Sequence, residues 1–171
     1  MKAVLISIQP KWCELIASGK KTVEVRKTKP KIETPFKCYI YCTKSGKNLI
    51  KGDISTTINF IAVNGGKVIG EFVCKGFTYI EAGYDTNENK HLYNTAFIEH
   101  QMCIPDNELF DYLYKSRENS GGWGWHISDL VIYDKPKELR EFNHCGVNYH
   151  FNPPITRPPQ SWCYVEVLKG E

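Results

Sequence analysis

The chain has 171 residues, 42% of them hydrophobic and 24% charged, with a formal net charge of +3. That length suits one domain with a real buried core, spanning residues 1–171, and that balance excludes wholesale disorder. No apolar run approaches the length of a bilayer-spanning helix, and the apolar N-terminus is too short for a secretory leader, so a cytoplasmic protein with no membrane partner is expected.

The first predicted element is a β-rich run over residues 2–8, ending at Gln9-Pro10. Pro10 suits the first turn of a helix, where its missing N–H removes no hydrogen bond. Trp12, Leu15 and Ile16 then share one helical face, and Gly19 stands at the stop position, where positive φ is wanted. The following string, Gly19-Lys20-Lys21-Thr22-Val23-Glu24-Val25-Arg26, alternates. On a strand, Val23 and Val25 point one way and Thr22, Glu24 and Arg26 the other. The polar face carries a hydroxyl, a carboxylate and a guanidinium side by side, with Lys20 and Lys21 at its entrance. Such a face either lines a ligand cleft or is the solvated side of an amphipathic strand; alternation alone does not choose.

Residues 27–37 hold two Pro and four Lys and read as an extended basic loop. Residues 36–43 form a β-branched and aromatic strand. Residues 44–66 read as an insertion or hairpin excursion that closes in the turn Asn64-Gly65-Gly66. A long strand is predicted over 67–80, with Gly70 and Gly76 as bulge or bend points. Residues 81–103 read as polar and irregular. Pro105 and the acidic residues after it open a helix whose apolar face is Leu109, Tyr112 and Leu113. Gly121-Gly122-Trp123-Gly124 reads as a turn in preference to a backbone opened for a ligand. A strand begins over 123–128 and is continued by 130–133, with a short helical turn over 137–142 and a closing strand over 161–168. At least six strands with two or three helices, not in regular alternation, indicate an α+β chain built on one small, bent or closed sheet.

Charge is unevenly spread. Residues 1–51 hold twelve Lys/Arg against three Asp/Glu, and residues 52–171 hold ten against sixteen. A basic half facing a polyanion fits that split, as does a solvated basic face. The seven cysteines include no CxxC pair and read as free, mostly buried thiols. No phosphate loop, dinucleotide fingerprint or HExxH is present, so neither cofactor nor metal is expected. His126 reads as a structural side chain more readily than a general base. Cys145 beside His144 and His150 makes a poor nucleophile pair, because chain neighbours rarely adopt that geometry. Trp12, Trp123, Trp125 and Trp162 are candidates for base stacking, although most are expected in the core.

Ser7-Ile8-Gln9-Pro10, a short helix and the Gly-Lys-Lys-Thr-Val-Glu-Val-Arg string resemble the N-terminal signature of the ASCH (activating signal cointegrator homology) family, in the PUA-like superfamily. Gly124-Trp125-His126-Ile127 and Pro159-Gln160-Ser161-Trp162 are similar, more loosely, to its last strands. The resemblance implies a PUA-like mixed β-barrel with flanking helices, a cleft beside the Gly-Lys-Lys-Thr strand, and a role in RNA metabolism. It also implies that some small members hydrolyse acetylated cytidine with a Lys, a Thr and a Glu. Their Lys falls on Lys21, but their Thr falls on Glu24, and their Glu has no placed counterpart.

The sequence therefore predicts a protein that binds RNA or a modified base or nucleotide. The ligand site is Gln9, Lys20, Lys21, Thr22, Glu24 and Arg26; Lys11, Lys27, Lys29 and Lys31 contact nucleic acid. A carboxylate can accept from an exocyclic amine on a base edge, while Arg and Lys hold phosphate or carbonyl. The alternative is an amidohydrolase with Lys21, Thr22 and Glu24 as catalytic groups. A protein-interaction module without a small ligand is the third reading.

Overall fold

A computed structural model describes residues 1–44, 64–116, 120–146 and 151–168. In chain order these form β1 (Lys2–Ile8), α1 (Pro10–Ala17), β2 (Val23–Arg26), β3 (Phe36–Cys42), β4 (Val68–Tyr84), β5 (Lys90–Tyr93), α2 (Glu99–Met102), α3 (Asp106–Leu113), β6 (Gly121–Lys137), a 3-10 turn (Leu139–Glu141) and β7 (Trp162–Glu166). The expected insertion lies largely outside the described residues, as does His150. Among the described residues, no helix is long and apolar enough to cross a membrane.

All seven strands belong to one mixed sheet, ordered β2-β6-β4-β3-β1-β7, with β5 paired to the far end of β4. β1 and β3 run parallel and the other pairs antiparallel. The parallel pair follows from α1, which carries the chain over before β2 and β3 are laid down. Pro10 at its start and Gly19, at φ +74°, fix the two ends of that helix.

The sheet is strongly rolled. β6 and β7 stand four places apart in strand order, yet Trp125 of β6 and Trp162 of β7 have ring centroids 6.1 Å apart. Phe36 of β3 also meets Trp125 edge-on at 6.1 Å. The rolled interior holds Val4, Ile6, Cys38, Ile40, Phe72, Cys74 and Trp125 together with Ile16 of α1. Ladder register slips between Val68 and Gly70 and between Cys74 and Phe77, so bends occur at Gly70 and Gly76 as expected. Among the described residues the ladder path does not return from β7 to β2.

A second core lies on the outer face, where Val23 and Val25 of β2 and Ile80 of β4 meet Leu109, Phe110 and Leu113 of α3. Both faces of β2 are therefore covered. This excludes the solvated-face reading of the alternation, since Glu24 is as little exposed as Val25, 4% each.

Two segments differ from expectation. Residues 81–103 are not irregular: β4 runs on to Tyr84, and β5 folds back on it with Glu81 opposite Tyr93. The Asp85 carboxylate shapes the turn by accepting from the backbone amides of Asn87 and Asn89, 2.8 Å each. This hairpin is mostly exposed, so apolar alternation hardly marks it. Gly121-Gly122-Trp123-Gly124 is not a turn but the start of β6. A Cβ at Gly122 would stand 2.6 Å from Leu113 and 2.7 Å from the Arg26 carbonyl, and one at Gly124 would stand 2.9 Å from Val23. Glycine is needed there because β2 and α3 press on the strand.

Candidate functional site

The site grows from the end of α1. After Gly19 the chain turns back, and the Lys21 amide donates to the Leu15 carbonyl at 2.9 Å. This folds the Lys21 side chain beneath α2 instead of outward. Its ammonium donates to the Met102 carbonyl at 2.5 Å and stands 3.5 Å from Glu24 Oε2. It also lies 5.0 Å from the Trp12 ring centroid. Lys21 is 1% exposed. Burial lowers its pKa below the ordinary lysine value, partly offset by Glu24.

Glu24 bridges two cations. Its Oε1 accepts from Arg26 Nη2 at 3.0 Å, and the same Nη2 donates to the Ser7 carbonyl of β1 at 2.5 Å. Period two on β2 puts Glu24 and Arg26 on one face, opposite the valines that meet α3. Two cations and one carboxylate leave the cluster one unit positive. Arg26 Nε is buried and has no hydrogen-bond partner among the described residues.

Glu24 and Arg26 line a cavity of about 590 Å³. Ser7 and Tyr41 come to it from β1 and β3, and Gln9 and Trp12 from the start of α1. Thr43, Lys44, Ile104, Glu108 and Tyr112 and the segment Pro158-Pro159-Gln160 complete its walls. Ser7 Oγ donates to the Pro159 carbonyl at 2.6 Å, which ties that segment to β1. The volume falls within the range of small-molecule sites, and indole, phenol and proline walls beside a charged floor suit a planar polar ring.

The predicted residues divide. Gln9, Glu24 and Arg26 line the cavity, and Lys21 supports Glu24 from behind. Lys20 is exposed and outside it, with its carbonyl accepting from Cys103 Sγ at 3.3 Å. Thr22 precedes the strand, and its hydroxyl donates to Gln101 Oε1 at 3.3 Å. Lys11 stands near the cavity mouth over the Trp12 ring, paired with Glu108 at 2.8 Å. Lys27, Lys29 and Lys31 lie on the loop after β2, outside the cavity.

The other candidates do not form a second centre. His126 Nε2 is hydrogen-bonded to Thr78 Oγ1 at 2.8 Å. The amides of His144 and Cys145 donate to the carbonyls of Pro153 and Tyr164. Burial pushes the Cys74 thiol up to about 11, which keeps it protonated and inert at neutral pH. Among the described residues no three His, Cys, Asp or Glu side chains are placed to hold a metal ion. Of the four tryptophans, Trp125 is fully buried and the other three are partly buried.

Sequence reasoning missed the carbonyls of Met102 and Ser7, which hold the two cations, and Tyr41 and Tyr112, which wall the cavity. A backbone acceptor carries no residue-type signal. Tyr41 and Tyr112 stood in a predicted strand and on a predicted helix face, where they read as packing.

A sequence profile described as the ASCH domain matches residues 6–118. A search of curated proteins finds no match. Among solved structures, the chain is similar to the crystal structure of ASCH from Zymomonas mobilis, at 18% identity and TM-score 0.61, over 96% of this chain and 87% of that one. It is similar to a point mutant of that protein at 19% identity and TM-score 0.61, over 97% and 91% of the two chains. A second mutant matches at 18% identity and TM-score 0.60, over 96% and 88%. At these identities the likeness concerns the fold.

Proposed function

Because the chain belongs to the ASCH domain family, which is generally associated with RNA binding, we propose that it binds RNA through a base or nucleotide held in the β2 cavity. The observation that carries this reading is the buried Lys21–Glu24–Arg26 cluster at the floor of a nucleotide-sized, aromatic-walled cavity. Glu24, fixed by both cations, accepts from an exocyclic amine. Arg26, with its positive excess, holds a base carbonyl or phosphate. Gln9 offers an adaptable amide at the rim, and Lys11, Lys27, Lys29 and Lys31 meet the phosphates that leave the cavity. The same reading takes residues 1–171 as a single cytoplasmic domain whose rolled sheet is a PUA-like barrel. The contact between Trp125 and Trp162 supports the barrel.

Calorimetric titration with nucleosides and nucleotides tests the proposal. At least one should bind, and Glu24→Gln should weaken it by about 1–3 kcal/mol, the worth of a hydrogen bond to a charged group. Wild-type protein that binds none of them, or Glu24→Gln and Arg26→Lys that bind as tightly as wild type, would overturn it.

A second reading, hydrolysis of acylated cytidine-type nucleosides, is favoured by the lowered pKa of Lys21, the direction a general base at neutral pH requires. Against it, the Thr22 hydroxyl is engaged by Gln101, away from the cavity. Release of free nucleoside by wild type but not by Lys21→Ala, followed by chromatography, would establish it in place of the binding-only reading.

A further inference from the structure

We propose that an RNA strand held in the cleft continues onto a second subsite, where its next base stacks on Trp123 and a phosphate takes the Lys29 ammonium. The proposal rests on the cleft reading and deepens it: the ligand becomes single-stranded and longer than one nucleotide.

Three observations carry it. First, the loop after β2 is anchored on both sides of Lys29. Trp162 Nε1 donates to Thr28 Oγ1 at 3.1 Å, and the Lys31 amide donates to the Tyr164 hydroxyl at 2.7 Å. Between these anchors the Lys29 ammonium rests 3.9 Å from the Trp123 ring centroid and 5.2 Å from that of Phe77.

Second, the charges of this loop are uncommitted. Lys11, Lys37, Lys67, Lys75 and Lys90 each stand within 3.4 Å of a carboxylate. Lys27, Lys29 and Lys31 are all exposed, and none has an ion-pair partner among the described residues. Two of them lie over aromatic rings instead, Lys29 over Trp123 and Lys27 over Tyr112 at 5.0 Å. A cation over a ring at an exposed site is weakly held, so a phosphate can draw it off and free the ring face for a base.

Third, the surface is continuous with the cleft. Tyr112 and Arg26 line the cavity, and Arg26 pairs in register with Trp123. Directly paired residues of antiparallel strands place their side chains on the same sheet face. One strand spacing therefore separates the guanidinium strand from the indole strand. Beyond Trp123, Tyr79 extends the aromatic surface, its ring 5.0 Å away and 42% exposed. A duplex presents no free base face to such a platform, which selects single strands.

The test compares a mononucleotide with a single-stranded hexaribonucleotide on the full chain, by titration of tryptophan fluorescence and calorimetry. The hexanucleotide should bind more tightly. Trp123→Leu and Lys29→Glu should each cost at least about fivefold of hexanucleotide affinity, the low end for one stacked base, and Trp123→Leu should leave mononucleotide affinity unchanged. Lys29→Ala should reduce the slope of log affinity against log salt by about 0.7, one single-strand phosphate contact. Lys135→Ala, at the other end of β6, should change neither measurement. A hexanucleotide that binds no better than the mononucleotide, duplex RNA that binds as well as single-stranded RNA, or a Lys29→Glu protein that keeps the full length-dependent gain would overturn the proposal. If Trp123→Leu does not fold, the two Lys29 variants decide. Failure of the cleft reading looks different: the mononucleotide itself then fails to bind, or binds Glu24→Gln undiminished.

Discussion

Burying Lys21 takes an ammonium out of water for one carbonyl, one carboxylate and the neighbourhood of one indole. The arrangement holds only while Glu24 is charged. Glu24→Gln should leave two cations without their counter-charge and cost about 3 kcal/mol in urea unfolding at neutral pH, the low end for a broken buried pair. Lys21→Met keeps the Glu24–Arg26 pair and should cost less. Its pH dependence is the sharper measurement. Because burial lowers the pKa of Lys21 in the folded state, below the folded pKa both states hold the proton and the full burial penalty applies. Between that pKa and 10.5 the unfolded chain binds more protons, so stability rises with pH. The wild type should therefore gain on Lys21→Met as pH climbs towards 10.5, in paired urea titrations; a flat or falling difference would mean that Lys21 is not desolvated. At this scale the sequence put Glu24 and Arg26 on one strand face, since period two is readable, and Lys21 only at the strand's entrance; the turn after Gly19 that buries Lys21 leaves no such pattern. It misplaced Thr22, because the hydroxyl lies one residue before the strand and follows the local turn towards Gln101.

β6 shows why some elements were legible and one was not. Residues 36–43, 67–80 and 161–168 carry alternating β-branched or aromatic side chains, and each proved to be a strand of the single sheet. The start of β6 carries glycine where alternation should be read, because β2 and α3 leave no room for side chains. Local sequence records such crowding only as absence, which is also how a turn looks. Gly122→Ala should therefore cost about 1–3 kcal/mol, the usual penalty for overpacking, seen as a lowered melting temperature. Gly76→Ala, at a bend with nothing within 4 Å of its Cβ, should stay within about 0.5 kcal/mol of wild type. β5 escaped notice for the opposite reason: among the described residues it pairs only with the end of β4 and is mostly exposed, so little apolar pattern marks it. The order of strands was also beyond the sequence, since pairing β1 with both β3 and β7 is decided by tertiary contacts.

At the scale of the molecule, Arg26 and Lys44 line the cleft and Lys27, Lys29 and Lys31 stand on the loop beside it, whereas the acidic excess follows later in the chain. RNA affinity should fall steeply with added salt as bound counterions are released. Changing Lys27, Lys29 and Lys31 together to Glu should weaken all RNA sequences alike in a filter-binding series, since phosphate contacts position without specifying. Binding indifferent to salt would remove the basic loop from the interface. The placement of β1 has a consequence for the protein's birth. β1 is made well before one of its two neighbours, β7, with Lys2 opposite Glu166 and Ile6 opposite Trp162. At about 5–20 residues per second, on the order of ten to thirty seconds separate their synthesis. For that interval the Ala3-Val4-Leu5-Ile6 edge of a ribosome-bound chain lacks its final partner and offers an apolar backbone ladder to any other strand. Nascent chains halted before residue 162 should therefore need a chaperone to stay soluble, and those extended through residue 168 should not.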